Sequence, residues 1–555
     1  MKRNILKSSL ENASFTIIVQ IAFRCLTFAT NAFILRYVGR HILGIMNVRL
    51  LLLESTLLFL SREPFLRSCL SNINGRKWAQ LVNQIWLAVP VCMILSCIFL
   101  YIWIFILPSV EDELMNQYYL ACFAVVISCI IELSSQSLVL VGQIFCFVKL
   151  KIMCEIISIG LRTFIFICIV LHNKKNALYA FSIAQISCAI ILMICYMVYF
   201  YWYTKQLNQY RLLKKKESSN KALLDKYNES FENMDDFPFK SITDFLPGVL
   251  ENEASTFNKD LIILTASFAK QCVVKQVLTE GEKYVMSISP VLSFSDQATY
   301  DIVNNLGSIT ARFIFKPIED SGYFYFTQMV NRDEKLSLQD STKVAESTQV
   351  LTQLCKVVST IGLLVLVYGQ SYAASLLLLY GGVDFVEGGL PILLLRCHCL
   401  AIVLLAINGV TECYSFATMT SSQLDKYNYY LFGFSISFLA MSYIFTYIFG
   451  PVGFILANCL NMFVRICHSV HFIADRYKDT KQNPLYKIFP GRKFSACLIL
   501  FGILLKISEE KLIPGQMLLH IAIGVICFAA NLVVWGYENK NLILAGYTKF
   551  FKKNQ

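Results

Sequence analysis

Apolar runs long enough to cross a bilayer recur along this 555-residue chain, and they restrict its fold more than any motif does. A crossing helix needs about 20 mostly apolar residues. Fourteen segments read as spans: 14–38, 42–60, 79–107, 118–143, 152–171, 178–203, 260–288, 295–326, 346–369, 390–420, 430–449, 452–475, 494–507 and 516–536. The segment 371–380 is too short to cross and is expected at an interface. Only 15% of the residues are charged, against about 25% in soluble domains, too few to cover a water-soluble surface. The mean hydropathy of +0.56 agrees. Soluble, disordered and fibrous classes are excluded, and a β-barrel would alternate in shorter segments of ~10 residues. The expected class is an all-α polytopic membrane protein.

The twenty cysteines are scattered, many inside apolar runs, without metal-ligand spacing. They read as small buried hydrophobes, and neither a metal nor a cofactor is expected. The first span begins behind Lys2, Arg3 and Lys7. It is too long for a signal-peptide core and lacks a small-residue cleavage site, so it is expected to stay attached.

Lysine and arginine in short loops report orientation. With the N-terminus inside, the inner loops carry 32 and the outer loops 4. The formal charge of +12 is therefore mostly topology, with no nucleic acid implied. Both termini are expected in the cytosol. The sequons at Asn12 and Asn228 fall inside and are expected unmodified. The chain ends Lys552-Lys553-Asn554-Gln555, similar to a dilysine signal for return to the endoplasmic reticulum. The patch Lys214–Lys216 sits beside a span, where contact with anionic lipid is the weaker reading.

The one long polar stretch, 204–259, reads as a cytosolic linker. The implied layout is 1–203 as a six-helix N-lobe, 204–259 as linker, 260–475 as a six-helix C-lobe, and 476–555 as two extra helices with a basic tail. A faint repeat supports duplication. Gln20, Arg24 and Asn31 in span one match Gln271, Lys275 and Glu282 in span seven in their offsets. Two lobes of like orientation imply a site between them, in a central cavity.

Charge inside hydrocarbon costs at least ~2.5–3.5 kcal/mol on insertion scales and must face protein or a wet cavity. In span one Thr16, Gln20, Arg24, Thr27 and Asn31 fall on one helical face. Either this face lines an anion-preferring cavity, or Arg24 pairs with Glu54 or Glu132. Span eight aligns Asp301, Asn305, Ser308, Arg312 and Glu319, and span ten aligns Asn408, Glu412 and Ser415. Span seven carries Lys275, Glu280, Glu282 and Lys283. Such mixed charges either fix helix packing by mutual pairing or line a wet cavity. His468 and His471 share a face with Arg465, a structural arrangement rather than a metal site. No nucleotide-binding loop is present. A membrane glycosyltransferase would want clustered outer acids, for which only 111–113 offers itself.

Several segments carry a family resemblance. They are Asn31-Ala-Phe-Ile-Leu-Arg36, Asn47-Val-Arg-Leu50, Leu60-Ser-Arg-Glu-Pro-Phe65 and Lys275-Gln-Val-Leu-Thr-Glu-Gly-Glu-Lys-Tyr-Val-Met286. Further on stand Tyr300-Asp-Ile-Val-Asn-Asn-Leu-Gly307, Ala406-Ile-Asn-Gly-Val-Thr-Glu-Cys413 and Gly453-Phe-Ile-Leu-Ala-Asn458. Together they resemble the eukaryotic Rft family over nearly the whole chain, with Lys275–Met286 the most specific. The linker and the last 80 residues match least.

The resemblance implies the fold of the multidrug, oligosaccharidyl-lipid and polysaccharide exporters: two six-helix lobes, here with two added helices, around a central cavity. It implies a flippase-like role rather than an enzyme's. That role is in N-glycosylation at the endoplasmic reticulum, moving or assisting movement of Man5GlcNAc2-PP-dolichol to the lumenal leaflet. The partners implied are that lipid, the bilayer and dolichol-pathway glycosyltransferases. For such a substrate the diphosphate candidates are Arg24, Arg36, Arg49, Lys275 and Arg312, because charge-assisted bonds to phosphate oxygens are strong. The glycan candidates are Gln20, Asn31, Asn304, Asn305 and Asn408. Glu280, Glu282, Glu319 and Glu412 are candidates for gating or ion coupling, and Arg62 and Arg67 for the cytosolic rim. The alternatives are a non-transport scaffold of glycan assembly and a cation-coupled antiporter of the same superfamily.

Overall fold

The computed structural model describes residues 29–71, 77–107, 110–145, 147–215, 237–250, 256–289, 291–480, 484, 489–513 and 515–540. Thr16, Gln20, Arg24 and Thr27, both sequons and the terminal lysines lie outside these residues. The described regular structure is all helical. The chain divides into two compact units, Met1–Pro290 and Val291–Gln555.

The first unit holds α1 (29–38), α2 (Arg40–Leu70), α3 (Trp78–Ile106), α4 (Asp112–Ser134), α5 (Gln136–Ile144), α6 (Val148–His172), α7 (Ala177–Lys215) and α8 (Lys259–Ile288). The second holds α9 (Phe294–Gly307), α10 (Lys316–Met329), α11 (Ser341–Gly381), α12 (Leu390–Thr418), α13 (Ser421–Phe449), α14 (Val452–Arg476), α15 (Arg492–Leu512) and α16 (Met517–Glu538). Among the described residues eleven helices are long and apolar enough to cross a membrane: α2–α4, α6–α8, α11–α14 and α16.

The helices depart from the expected spans at four places, each with a local cause. The span expected over 118–143 is split at Ser135 into α4 and α5. The span over 295–326 is split into α9, a π-turn at Ala311–Phe315, and α10. Pro317 has no N–H to give and its ring crowds the turn before it, which the wider π-turn relieves. The segment 371–380 is not a separate piece: it is the last part of the 41-residue α11. Gln370, which breaks the apolar pattern, exchanges two hydrogen bonds with α12. Its amide donates to the Arg396 carbonyl at 3.0 Å, and Arg396 Nε donates to its carbonyl at 2.9 Å.

The fourth difference is the linker. Helix α7 runs to Lys215, well into the polar stretch. Residues 237–250 then dock on the first unit. Phe237, Phe239 and Phe245 are buried among Phe145, Phe147, Phe200, Tyr203 and Trp78. Phe239 and Phe245 stack at 4.2 Å. Trp86 Nε1 donates to the Phe245 carbonyl at 2.8 Å, and the Gly248 amide donates to Asn83 at 2.8 Å. Polarity at 237–250 thus conceals three core phenylalanines.

Helix α8, expected in the second lobe, packs along α2 within the first unit. Its buried face is polar. Gln276 and Tyr284 meet Thr56 of α2, and Thr265 donates to Ser68 at 2.7 Å and accepts from Gln84 at 3.0 Å. In the second unit α12 is central, contacting α9, α10, α11 and α14. Helices α15 and α16 pack together, with α15 against α11. Asn531 and Gly524 on α16 meet Tyr368 and Tyr372 of α11.

Candidate functional site

In the second unit the polar residues read from sequence converge on α12. Glu412 is 7% exposed. Its carboxylate accepts hydrogen bonds from Tyr427 of α13 at 2.6 Å, Asn408 one turn earlier at 3.2 Å and Arg465 Nε of α14 at 3.2 Å, with Arg465 Nη2 on its other oxygen. His468 stacks on Tyr427 at 4.6 Å between ring centroids. Four donor atoms on three side chains from three helices thus satisfy one buried carboxylate, and the cation among them is the protein's own guanidinium.

Glu319 of α10 lies against the bare backbone of Gly409 on the same helix α12. A Cβ at Gly409 would fall 1.8 Å from Glu319 Oε1. Lys316 pairs with Asp320 at 2.8 Å beside it. On the π-turn, Arg312 Nη2 donates to the Asn305 side-chain oxygen at 3.2 Å, and both residues are exposed. Asn304, beside Asn305, is half-buried. Two residues of the expected face of span eight, Asn305 and Arg312, are thus brought together.

In the first unit, Arg49 is 1% exposed and donates to the Ser287 carbonyl of α8 at 3.0 Å. Its own carbonyl accepts from Trp103 at 3.0 Å. Arg49 thus joins α2, α3 and α8 in this structure. Lys275 is exposed, its ammonium 5.7 Å from the Phe59 ring centroid. Glu280 pairs with Lys283 at 2.9 Å, and Glu282 is half-buried nearby on α8. Asn31 and Arg36 are exposed on α1.

The rim arginines are paired. Arg62 meets Glu132 of α4 at 3.0 Å, and Arg67 meets Glu63 at 2.7 Å. Glu132 is thus taken by Arg62 from α2. Sequence reading did not single out the pair Arg396–Glu509, at 2.7 Å between α12 and α15, with Lys506 also 2.7 Å from Glu509. An arginine inside the apolar run 390–420 was the available signal. Among the described residues no group of histidine, cysteine or acidic side chains could hold a metal ion, and the described cysteines are free thiols.

Long apolar helices with paired charges between them define a polytopic helical membrane protein, and known proteins narrow the class. The model described as Rft protein matches residues 8–548, and the chain belongs to that family. It is 51% identical over 98% of both chains to a Drosophila melanogaster protein named Man(5)GlcNAc(2)-PP-dolichol translocation protein RFT1. A Xenopus tropicalis protein of the same name is 40% identical, covering 96% of this chain and 94% of its own. The Mus musculus counterpart is 37% identical over the same shares. Among solved structures, the lipid II flippase MurJ in an inward closed conformation aligns with a TM-score of 0.56 at 12% identity, covering 95% of this chain and 99% of that one. An inward-facing multidrug-resistance MATE transporter aligns with a TM-score of 0.52 at 11% identity, over 82% and 95%. At those identities the likeness is one of fold.

Proposed function

We propose that this chain moves, or assists the movement of, Man5GlcNAc2-PP-dolichol from the cytosolic to the lumenal leaflet of the endoplasmic reticulum membrane, by alternating access. The observation that carries this reading is 51% identity, end to end, to a protein named for that translocation. Both termini face the cytosol in this reading, as the loop lysines and arginines indicate. It works as a transporter and not as an enzyme.

The substrate joins an uncharged glycan, a diphosphate and a long apolar tail, and each part has different needs. The diphosphate needs cations: the exposed Lys275, Arg312 and Arg36, and Arg24, are assigned this role. Asn305 accepts from the Arg312 guanidinium and orients it. Asn31, Asn304, Asn305 and Gln20 offer amides to glycan hydroxyls. Asn408 is turned toward Glu412 and supports the network instead. Glu280, Glu282 and Glu319 remain as gating groups, and Arg62 and Arg67 as the cytosolic rim. Dolichol-pathway glycosyltransferases are the expected neighbours.

The test uses purified full-length protein in vesicles, with labelled heptasaccharide lipid and a leaflet-specific probe. Acceleration over empty vesicles is expected. Its absence, with correctly folded protein, overturns transport and leaves an accessory role.

A further inference from the structure

A separate polar cavity lies inside the first unit, and of its lining only Arg62 has been given a role above. Its volume is about 180 Å³. Its walls come from α2, α4, α5, α6 and α7. Two helix features meet there. Pro64 lies inside α2 beside Arg62 and Glu63, and Ser135 divides α4 from α5 between Glu132 and Gln136. A helix break such as that at Ser135 is tolerated where it lines a cavity or is buried in protein.

The lining has a specific chemical balance. Arg62 pairs with Glu132 at 3.0 Å, Glu63 with Arg67 at 2.7 Å, and Lys151 with Glu155 at 3.9 Å. Each of these carboxylates has its own cation, so an ion entering the cavity gains little. Gln136 is different. It is 2% exposed, it lines the cavity, and its side-chain oxygen has no hydrogen-bond partner. A buried acceptor left unmade costs about 1–3 kcal/mol, which a ligand that donates recovers. Gln143 adds a second amide, and the buried Tyr196 an aromatic wall.

We infer that this cavity receives one neutral, polyhydroxylated ring: a single sugar unit. Hydroxyls donate to Gln136 and Glu155 and accept from Lys151, matching both kinds of group on the wall. A space of about 180 Å³ is enough for one pyranose ring. The inference rests on the proposed function, under which the ring is an outer hexose of the glycan.

Two measurements on the full-length protein test it. The first compares translocation of the heptasaccharide lipid with that of dolichyl diphosphate bearing only two N-acetylglucosamines. The second is saturation-transfer NMR of methyl α-mannopyranoside with protein in nanodiscs. Wild type is expected to move both lipids and to give a saccharide signal. Gln136→Leu should slow the heptasaccharide lipid about tenfold relative to the short one, the loss of about one hydrogen bond, and remove the signal. Gln143→Leu, on the same wall, should do the same more weakly if Gln136→Leu does not fold. An unchanged rate ratio with an unchanged signal in both variants overturns the sugar site, as does absence of signal from wild type. If wild type moves neither lipid but the signal is present and Gln136-dependent, the site stands and the transport reading fails.

Discussion

Arg465 of α14 grips both carboxylate oxygens of Glu412 on α12, and Tyr427 and Asn408 fill the remaining positions on the same group. The pair is satisfied from every side, so its net contribution to stability is small while the cost of breaking it is large. Replacing one partner strands a buried charge, at about 3–5 kcal/mol. Arg465→Met should therefore lower the thermal midpoint markedly. The double variant Arg465→Met/Glu412→Leu should recover most of that loss. Thermal unfolding in detergent checks this; if the double variant is as unstable as the single, the network is not closed as described.

The close approach of Glu319 to Gly409 makes a narrower claim. Any side chain at 409 meets the carboxylate, 1.8 Å from Cβ to Oε1. Gly409→Ala should displace Glu319 and cost about 1–3 kcal/mol by overpacking. Pairing it with Glu319→Ala should relieve that cost. A double-variant cycle that shows no coupling would mean the two helices separate freely at this point.

The docked segment 237–250 behaves as part of the core. Phe239 is fully buried, and Phe-to-Ala changes at such sites cost about 3–5 kcal/mol. Phe239→Ala should destabilise the protein by that order, whereas Lys240→Ala, on an exposed side chain, should change little. Urea unfolding of the two variants distinguishes a docked segment from a plain tether.

Helix α16 is held on α11 by aromatic contacts with little room to spare. Tyr372 stacks on His520 at 4.3 Å between ring centroids and donates to the His520 carbonyl at 2.6 Å. A Cβ at Gly524 would lie 2.1 Å from the Tyr372 hydroxyl. Gly524→Val should loosen α16, read as faster cleavage by added protease in the residues next to it. Tyr372→Phe keeps the ring and should be milder. Equal protease resistance in wild type and Gly524→Val would reject this docking.

These relationships show where sequence reading succeeds and where it stops. Apolar length is a local property, so the eleven long apolar helices among the described residues overlap expected spans, while the more polar 295–326 does not form one helix. The face shared by Asn305 and Arg312 was legible because helical spacing is also local. Partner choice is not local. Nothing in the α8 sequence says that Thr265, Gln276 and Tyr284 meet α2. Likewise Gln370 looks like a helix break until Arg396 is placed opposite it. Gly409 carried no signal of its own, because what it accommodates lies on another helix.

The contrast between Arg49 and Arg312 gives the sharpest test of the assigned site. Both were drawn from charge inside apolar sequence. Arg49 is buried and bonded to the Ser287 carbonyl; Arg312 is exposed and bonded to Asn305. Removing Arg49 leaves a buried carbonyl without its donor and an unfilled space, so Arg49→Gln should lower stability and protein level, with activity per folded molecule nearly intact. Arg312→Gln should do the reverse: normal thermal midpoint and level, but lipid translocation reduced about tenfold or more. That factor follows from one charged hydrogen bond at about 1.5–3 kcal/mol. Thermal midpoint and vesicle transport, measured on the same preparations, separate the two. If Arg312→Gln transports normally, the diphosphate is bound elsewhere, and Lys275→Gln becomes the variant whose loss must account for it.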